Sequence, residues 1–194
     1  IFKSDSLSNL GIANCQKGEM QTGLGQLEQA VQIAGEENDS GRRMRHLGTM
    51  GNIFLSVADI DGVIRAYTQA LEVAQSLGDK VAISGYLFNL AAIQMQHNYK
   101  DQAVSNFEEA LEVALQTEES NLVLNIRRNL VDVYIENGEY IKALTRIDEI
   151  LESVAGPDSK QAQYGQYQKL KIFSLIQLER FSEALTQIDP FLEN

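Results

Sequence analysis

The chain has 194 residues, 44% hydrophobic and 7% aromatic, with no Trp, two prolines and one cysteine. Its net charge of −11, from 16 basic and 27 acidic side chains, argues against a nucleic-acid partner, since neutralising phosphates needs a clustered basic surface. No apolar run reaches the roughly 18–20 residues of a membrane span, the N-terminal IFKSDSLSNLG lacks a signal-peptide core, and the lone Cys15 excludes an intrachain disulfide, so a cytoplasmic protein is expected.

The chain starts at Ile1 within a helix pattern, so a fragment of a longer protein is expected. In order, the apolar spacing predicts paired helices. The first pair covers about Lys3 to Gln16 and Met20 to Gly35, with Gly18 at the left-handed position that ends a helix. After a polar loop, Glu36 to Gly41, the second covers Arg42 to Val57 and Asp61 to Leu77, turning at Ala58-Asp59. At Gly78-Asp79 the glycine stops one helix and the aspartate caps the next.

The third pair covers Lys80 to Gln96 and Lys100 to Gln116, and the fourth Ser120 to Glu136 and Tyr140 to Val154. Ala155-Gly156-Pro157-Asp158-Ser159 is the clearest break. The fifth pair covers Lys160 to Leu178 and Phe181 to Asp189, where Asp189-Pro190 reads as an N-cap followed by proline at a first helical position. On that reading the last helix is short, or another begins there.

These pairs repeat at a period of 40. Ala110 corresponds to Ala30, Ala70 and Ile150, Phe107 to Leu27, Tyr67 and Ile147, and Asn89-Leu90 to Asn9-Leu10 and Asn129-Leu130. A fixed period of that length marks an array in which each hairpin buries its apolar face only by stacking on the next. Small residues at Gly11, Gly51 and Ala91 and at Ala30, Ala70 and Ala110 suit helices packed about 8–10 Å apart. A single array over 1–194 is expected, with repeats at about 3–40, 41–79, 80–119, 120–157 and 158–194.

The fourth pair carries Leu130, Val131, Tyr134, Gly138, Tyr140, Ala143, Ile147 and Ile150, and the third Leu90, Ala91, Ala103, Phe107, Ala110 and Leu111. This pattern resembles the tetratricopeptide repeat. The period of 40 in place of 34 resembles the long-helix branch found in kinesin light chains and bacterial peptide-pheromone receptors. The resemblance implies an all-α right-handed superhelical solenoid of about five helix-turn-helix repeats, whose first helices line a concave groove that binds a protein or peptide segment. It implies no catalytic residue and no cofactor.

Asn9, Asn89 and Asn129, with Thr49, occupy one register of four first helices, where asparagine is a poor interior helix former. In the resembling proteins an asparagine ladder here bonds the backbone of an extended peptide. Helical geometry sets Asp5, Ser8 and Ile12 beside Asn9; Arg45, Gly48, Asn52 and Ser56 beside Thr49; Phe88, Met95 and Gln96 beside Asn89; and Asn125, Arg128, Asp132 and Glu136 beside Asn129. Gln166, Lys169, Phe173 and Gln177 extend this stripe. Arg45 and Arg128 read as isolated cations.

Arg42-Arg43-Arg45-His46 is the one basic cluster and reads as a solvated helix start, as Glu108-Glu109-Glu112 reads as a solvated outer face. His46 and His97 stand apart from any ligand pattern, so no metal site is expected. Cys15 reads as a small packing residue. The expected function is therefore a peptide-binding scaffold. Two alternatives are the peptide-sensing part of a bacterial signalling or transcription regulator, and a structural array that self-associates through an uncapped end.

Overall fold

The computed structural model describes residues 2–154 and 161–192. The Ala155–Ser159 break therefore lies outside the described residues. Ten α-helices, and no strand, occur among them: α1 Phe2–Gln16, α2 Met20–Glu36, α3 Ser40–Ser56, α4 Ile60–Leu77, α5 Lys80–Gln96, α6 Lys100–Ala114, α7 Ser120–Glu136, α8 Tyr140–Val154, α9 Gln161–Gln177 and α10 Phe181–Leu192. No described helix is long and apolar enough to cross a membrane.

Turn chemistry explains where the helices stop. Gly18, Ala58, Asn98, Gly138 and Glu179, the turn residues inside the five pairs, all have left-handed φ between 56° and 89°. The next N–H bonds back across the last turn at four of them: Glu19 to Asn14 O, Asp59 to Phe54 O, Glu139 to Tyr134 O and Arg180 to Leu175 O, at 2.7–3.0 Å. This is the helix-ending motif that a left-handed residue creates. Gly78 does the same between pairs, and Asp79 Oδ1 then accepts from the Ala82 N–H at 3.0 Å, as expected. Asp39 and Asp59 cap α3 and α4 in the same way, at 2.8 and 2.9 Å.

Several bounds depart from the sequence reading by one to three residues, α6 ending at Ala114 instead of Gln116 among them, and two of the departures have a local cause. The Asp39 cap starts α3 at Ser40, two residues before the expected Arg42, because the aspartate satisfies the first free N–H groups. At the other end α10 runs through Asp189 and Pro190 to Leu192, so Asp189-Pro190 neither stops this helix nor starts another. Only the last turn follows, and a proline there displaces few backbone bonds.

The chain forms two compact units, 1–97 and 98–194. In the first, α1 packs on α2, α2 on α3, α3 on α4 and α4 on α5. Leu27, Met50 and Ala66 share one apolar cluster, Met44 and Leu47 pack with Ala70 and Ala74, and Val63 and Tyr67 pack with Leu90 and Ile93. Close approach demands the small residues: a Cβ on Gly11 would sit 2.7 Å from Gly23 O, and one on Gly51 would enter the Tyr67 ring.

In the second unit α6 packs on α7, α7 on α8, α8 on α9 and α9 on α10. Val131, Ile147, Ile150, Leu151 and Tyr167 form one cluster, and Leu144, Leu175 and Ala184 another. Ala103, Phe107 and Ala110 are fully buried. Excluding their apolar surface from water stabilises this unit by about 25 cal/mol per Å².

Candidate functional site

The amide register lies on the surfaces of the first helices. Asn9 on α1 is exposed, while Thr49 on α3, Asn89 on α5 and Asn129 on α7 are half-buried. Two of these polar groups bond back to their own helix: Thr49 Oγ1 donates to Arg45 O at 2.9 Å and Asn129 Nδ2 to Asn125 O at 2.9 Å. Exchange of such a bond for one to a ligand requires only a rotamer change.

In the first unit Arg45, Asn52 and Gln96 are exposed and Phe88 and Met95 half-buried. Asn52 is engaged, since its Oδ1 accepts from the Tyr67 hydroxyl at 2.6 Å. Tyr67 is 3% exposed, so this bond satisfies a hydroxyl that burial would otherwise penalise, and burial pushes the phenol upward from its ordinary value. The amide NH₂ of Asn52 carries two further donors. Ser8 and Gly48, expected along the same stripe, are buried instead. A Cβ on Gly48 would lie 2.5 Å from the Tyr86 hydroxyl, which donates to Met44 O at 3.3 Å. Tyr86 covers that position.

The second unit holds Asn125 and Asp132 exposed and Arg128 half-buried on α7. Arg128 is not the isolated cation expected: it hydrogen-bonds the Tyr167 hydroxyl of α9. Burial raises the Tyr167 phenol, the Arg128 charge lowers it, and Asp132 raises it again. Asp132 itself sits above the usual carboxylate range, through desolvation and then repulsion from Glu136 one turn on. Glu136 is shared with Lys100 Nζ at 3.2 Å. Arg128, Asp132 and Tyr167 thus form one polar group spanning α7 and α9.

The basic cluster also departs from a solvated start. Arg43 and Arg45 are exposed, but Arg42 reaches Asp5 at 3.3 Å, Asp39 at 3.1 Å and Glu37 at 3.3 Å, and His46 is 4% exposed. Glu108, Glu109 and Glu112 are exposed as expected, with Glu108 accepting from the Tyr134 hydroxyl. Cys15 is buried, and burial raises its thiol, so it packs as a small apolar group. Among the described residues no group of three or more His, Cys, Asp or Glu could hold a metal ion.

The model of the family described as tetratricopeptide repeat matches residues 84–117, which is the third pair. No curated protein matches the chain by sequence. Solved structures do match in fold. BtubC (BKLC) from P. vanneervenii is 17% identical with a TM-score of 0.71, over 96% of this chain and 77% of that one. A signal transduction ATPase with a tetratricopeptide repeat sensor from Pyrococcus horikoshii is 15% identical at 0.71, over 100% of this chain and 30% of that one. A Rap protein complexed with competence and sporulation factor is 18% identical at 0.62, over 98% and 53%. Residues 84–117 thus match a tetratricopeptide repeat, within a fold shared with solved tetratricopeptide-repeat structures.

Proposed function

We propose that this chain is a protein-interaction module in which the outward faces of α1, α3 and α5 in the first unit, and that of α7 in the second, each hold an extended peptide or unfolded protein segment. The observation that carries this reading is the amide and hydroxyl register Asn9, Thr49, Asn89 and Asn129, none of which is buried. An extended strand offers backbone donors and acceptors at regular intervals, and side-chain amides can pair with both kinds. Arg45, Asn125, Asp132 and the Arg128–Tyr167 pair would select among side chains, and Phe88, Met95 and the stems of Gln96 and Asn52 would supply apolar contact.

A random-sequence peptide selection tests this reading, followed by calorimetry of the best binder on the wild type and on Asn89→Ala with Asn129→Ala. The double variant is expected to lose about 0.5–1.5 kcal/mol per hydrogen bond with helicity intact. Equal affinity would end the amide-register account.

A second reading is favoured by two structural neighbours. One is described as carrying a tetratricopeptide repeat sensor and the other as complexed with competence and sporulation factor, and this chain spans 30% and 53% of them. In that reading the same helix faces bind a short peptide and bias an attached output segment. A selected peptide that changes the tumbling or protease sensitivity of the chain would favour it. Binding without any such change favours the scaffold.

A further inference from the structure

The groove between α2 and α4 is lined differently from its equivalents in the second unit. Its volume is about 340 Å³, and Leu47, Met50 and Phe54 of α3 line it between Glu28 of α2 and Arg65 of α4. Leu47 and Met50 are buried and Phe54 half-buried, while Glu28 and Arg65 are exposed. The three α3 residues lie roughly 100–160° round the helix from Thr49, so this groove is separate from the amide register.

The second unit satisfies the acid at the Glu28 register from within. Glu108, two repeats on, accepts from the Tyr134 hydroxyl, and Lys142 Nζ stands 5.3 Å from the centre of that ring. Asp148, three repeats on, pairs with Lys171 Nζ at 2.8 Å. The first unit lacks each of these groups. Phe54 holds the Tyr134 position without a hydroxyl, and Gly62 holds the Lys142 position without a side chain. Met50 holds the Lys171 position, allowing for the one residue by which the fifth pair is shifted. Among the described residues Glu28 has no hydrogen bond or ion pair.

We propose that the α2–α4 groove is a second polypeptide-binding site, which takes a lysine side chain of a partner with an acidic residue next to it. The occupant is a lysine because lysines of this chain's own meet the acid or the ring at the equivalent positions of the second unit. Its four-carbon stem lies on Leu47 and Met50, the face of Phe54 attracts its ammonium, and Glu28 pairs with it. Arg65 on the opposite wall repels a lone cation and pairs with a carboxylate. Successive side chains of an extended segment point to opposite sides, so a Lys-Glu pair matches two walls of opposite charge. The site does not rest on the amide-register reading.

Amide chemical-shift titration tests this with the acetylated, amidated peptide Gly-Lys-Glu-Gly and two relatives, one with norleucine for lysine and one with glutamine for glutamate. The Lys-Glu peptide is expected to shift amides around Glu28, Phe54 and Arg65 and to bind about 3- to 30-fold more tightly than the norleucine peptide. Glu28→Lys should weaken it about fivefold or more, and Arg65→Glu should reverse the preference for Lys-Glu over Lys-Gln. Both positions are exposed, far-UV circular dichroism controls for folding, and Glu28→Gln repeats the measurement should the reversal disturb α2. Asn89→Ala with Asn129→Ala should bind as the wild type does. Equal affinity for the lysine and norleucine peptides, no shift around the groove, or undiminished binding in Glu28→Lys overturns the proposal. So does loss of binding in the double asparagine variant, which would put the lysine on the amide register.

Discussion

His46 Nε2 lies 3.6 Å from the Asp5 carboxylate, joining α3 to α1, and the histidine is only 4% exposed. Burial dominates its titration and holds it below the ordinary 6.5, although Asp5, and more weakly Asp39, pull the other way while Arg45 and Arg42 reinforce the burial. Tyr86, packed on the same helix from α5, contributes a neutral hydroxyl engaged with Met44 O. The folded state therefore binds fewer protons than the unfolded chain once the pH drops below 6.5, so stability is lost as pH falls through that range. Melting temperature is expected to decline between about pH 7 and pH 5 and to decline less steeply in His46→Gln. Parallel slopes for the two proteins would contradict this assignment.

Ala58 has a φ of 56° in the turn between α3 and α4, where the equivalent residues Gly18 and Gly138 are glycine. A Cβ in the left-handed region costs about 1–2 kcal/mol, and glycine's greater unfolded freedom offsets about 0.4–1 of it. Ala58→Gly is expected to raise stability modestly, by about 0.5–1 kcal/mol, and Gly138→Ala to lower it. Urea denaturation of the two variants checks the opposite signs.

Gly51 sits against the Tyr67 ring, with no room for a methyl group. Gly51→Ala is expected to cost about 1–3 kcal/mol by overpacking and to disturb the Tyr67–Asn52 hydrogen bond. Calorimetric unfolding together with the near-ultraviolet tyrosine signal would show both effects.

Ala110 has no exposed surface, whereas Glu112 on the same helix is exposed. Ala110→Glu places a charge among packed helices and is expected to destabilise by at least about 3 kcal/mol. Glu112→Ala should stay within about 0.5 kcal/mol. Equal melting of the two variants would mean that the repeat register is wrong.

The helices and their turns were legible because one apolar period and one turn position recur: Gly18, Ala58, Asn98 and Gly138 stand forty apart. The site was legible only as a helix face. Spacing along one helix cannot show what a neighbouring helix covers, which is why Ser8 and Gly48 fell on the expected surface stripe yet are buried. The Arg128–Tyr167 and Asp5–His46 contacts join separate helices. A clue to both did exist, since His46, Tyr86 and Tyr167 share one register of the first helices, a row of bulky side chains with polar tips at a packed position.

The central claim is that first-helix faces receive a polypeptide, and amide chemical-shift mapping with a selected peptide tests it most directly. Perturbations are expected at Arg45 to Asn52, Phe88 to Gln96 and Asn125 to Asp132, with the second helices α4, α6 and α8 little changed. Shifts confined to those second helices, or a peptide that perturbs neither set, would contradict it.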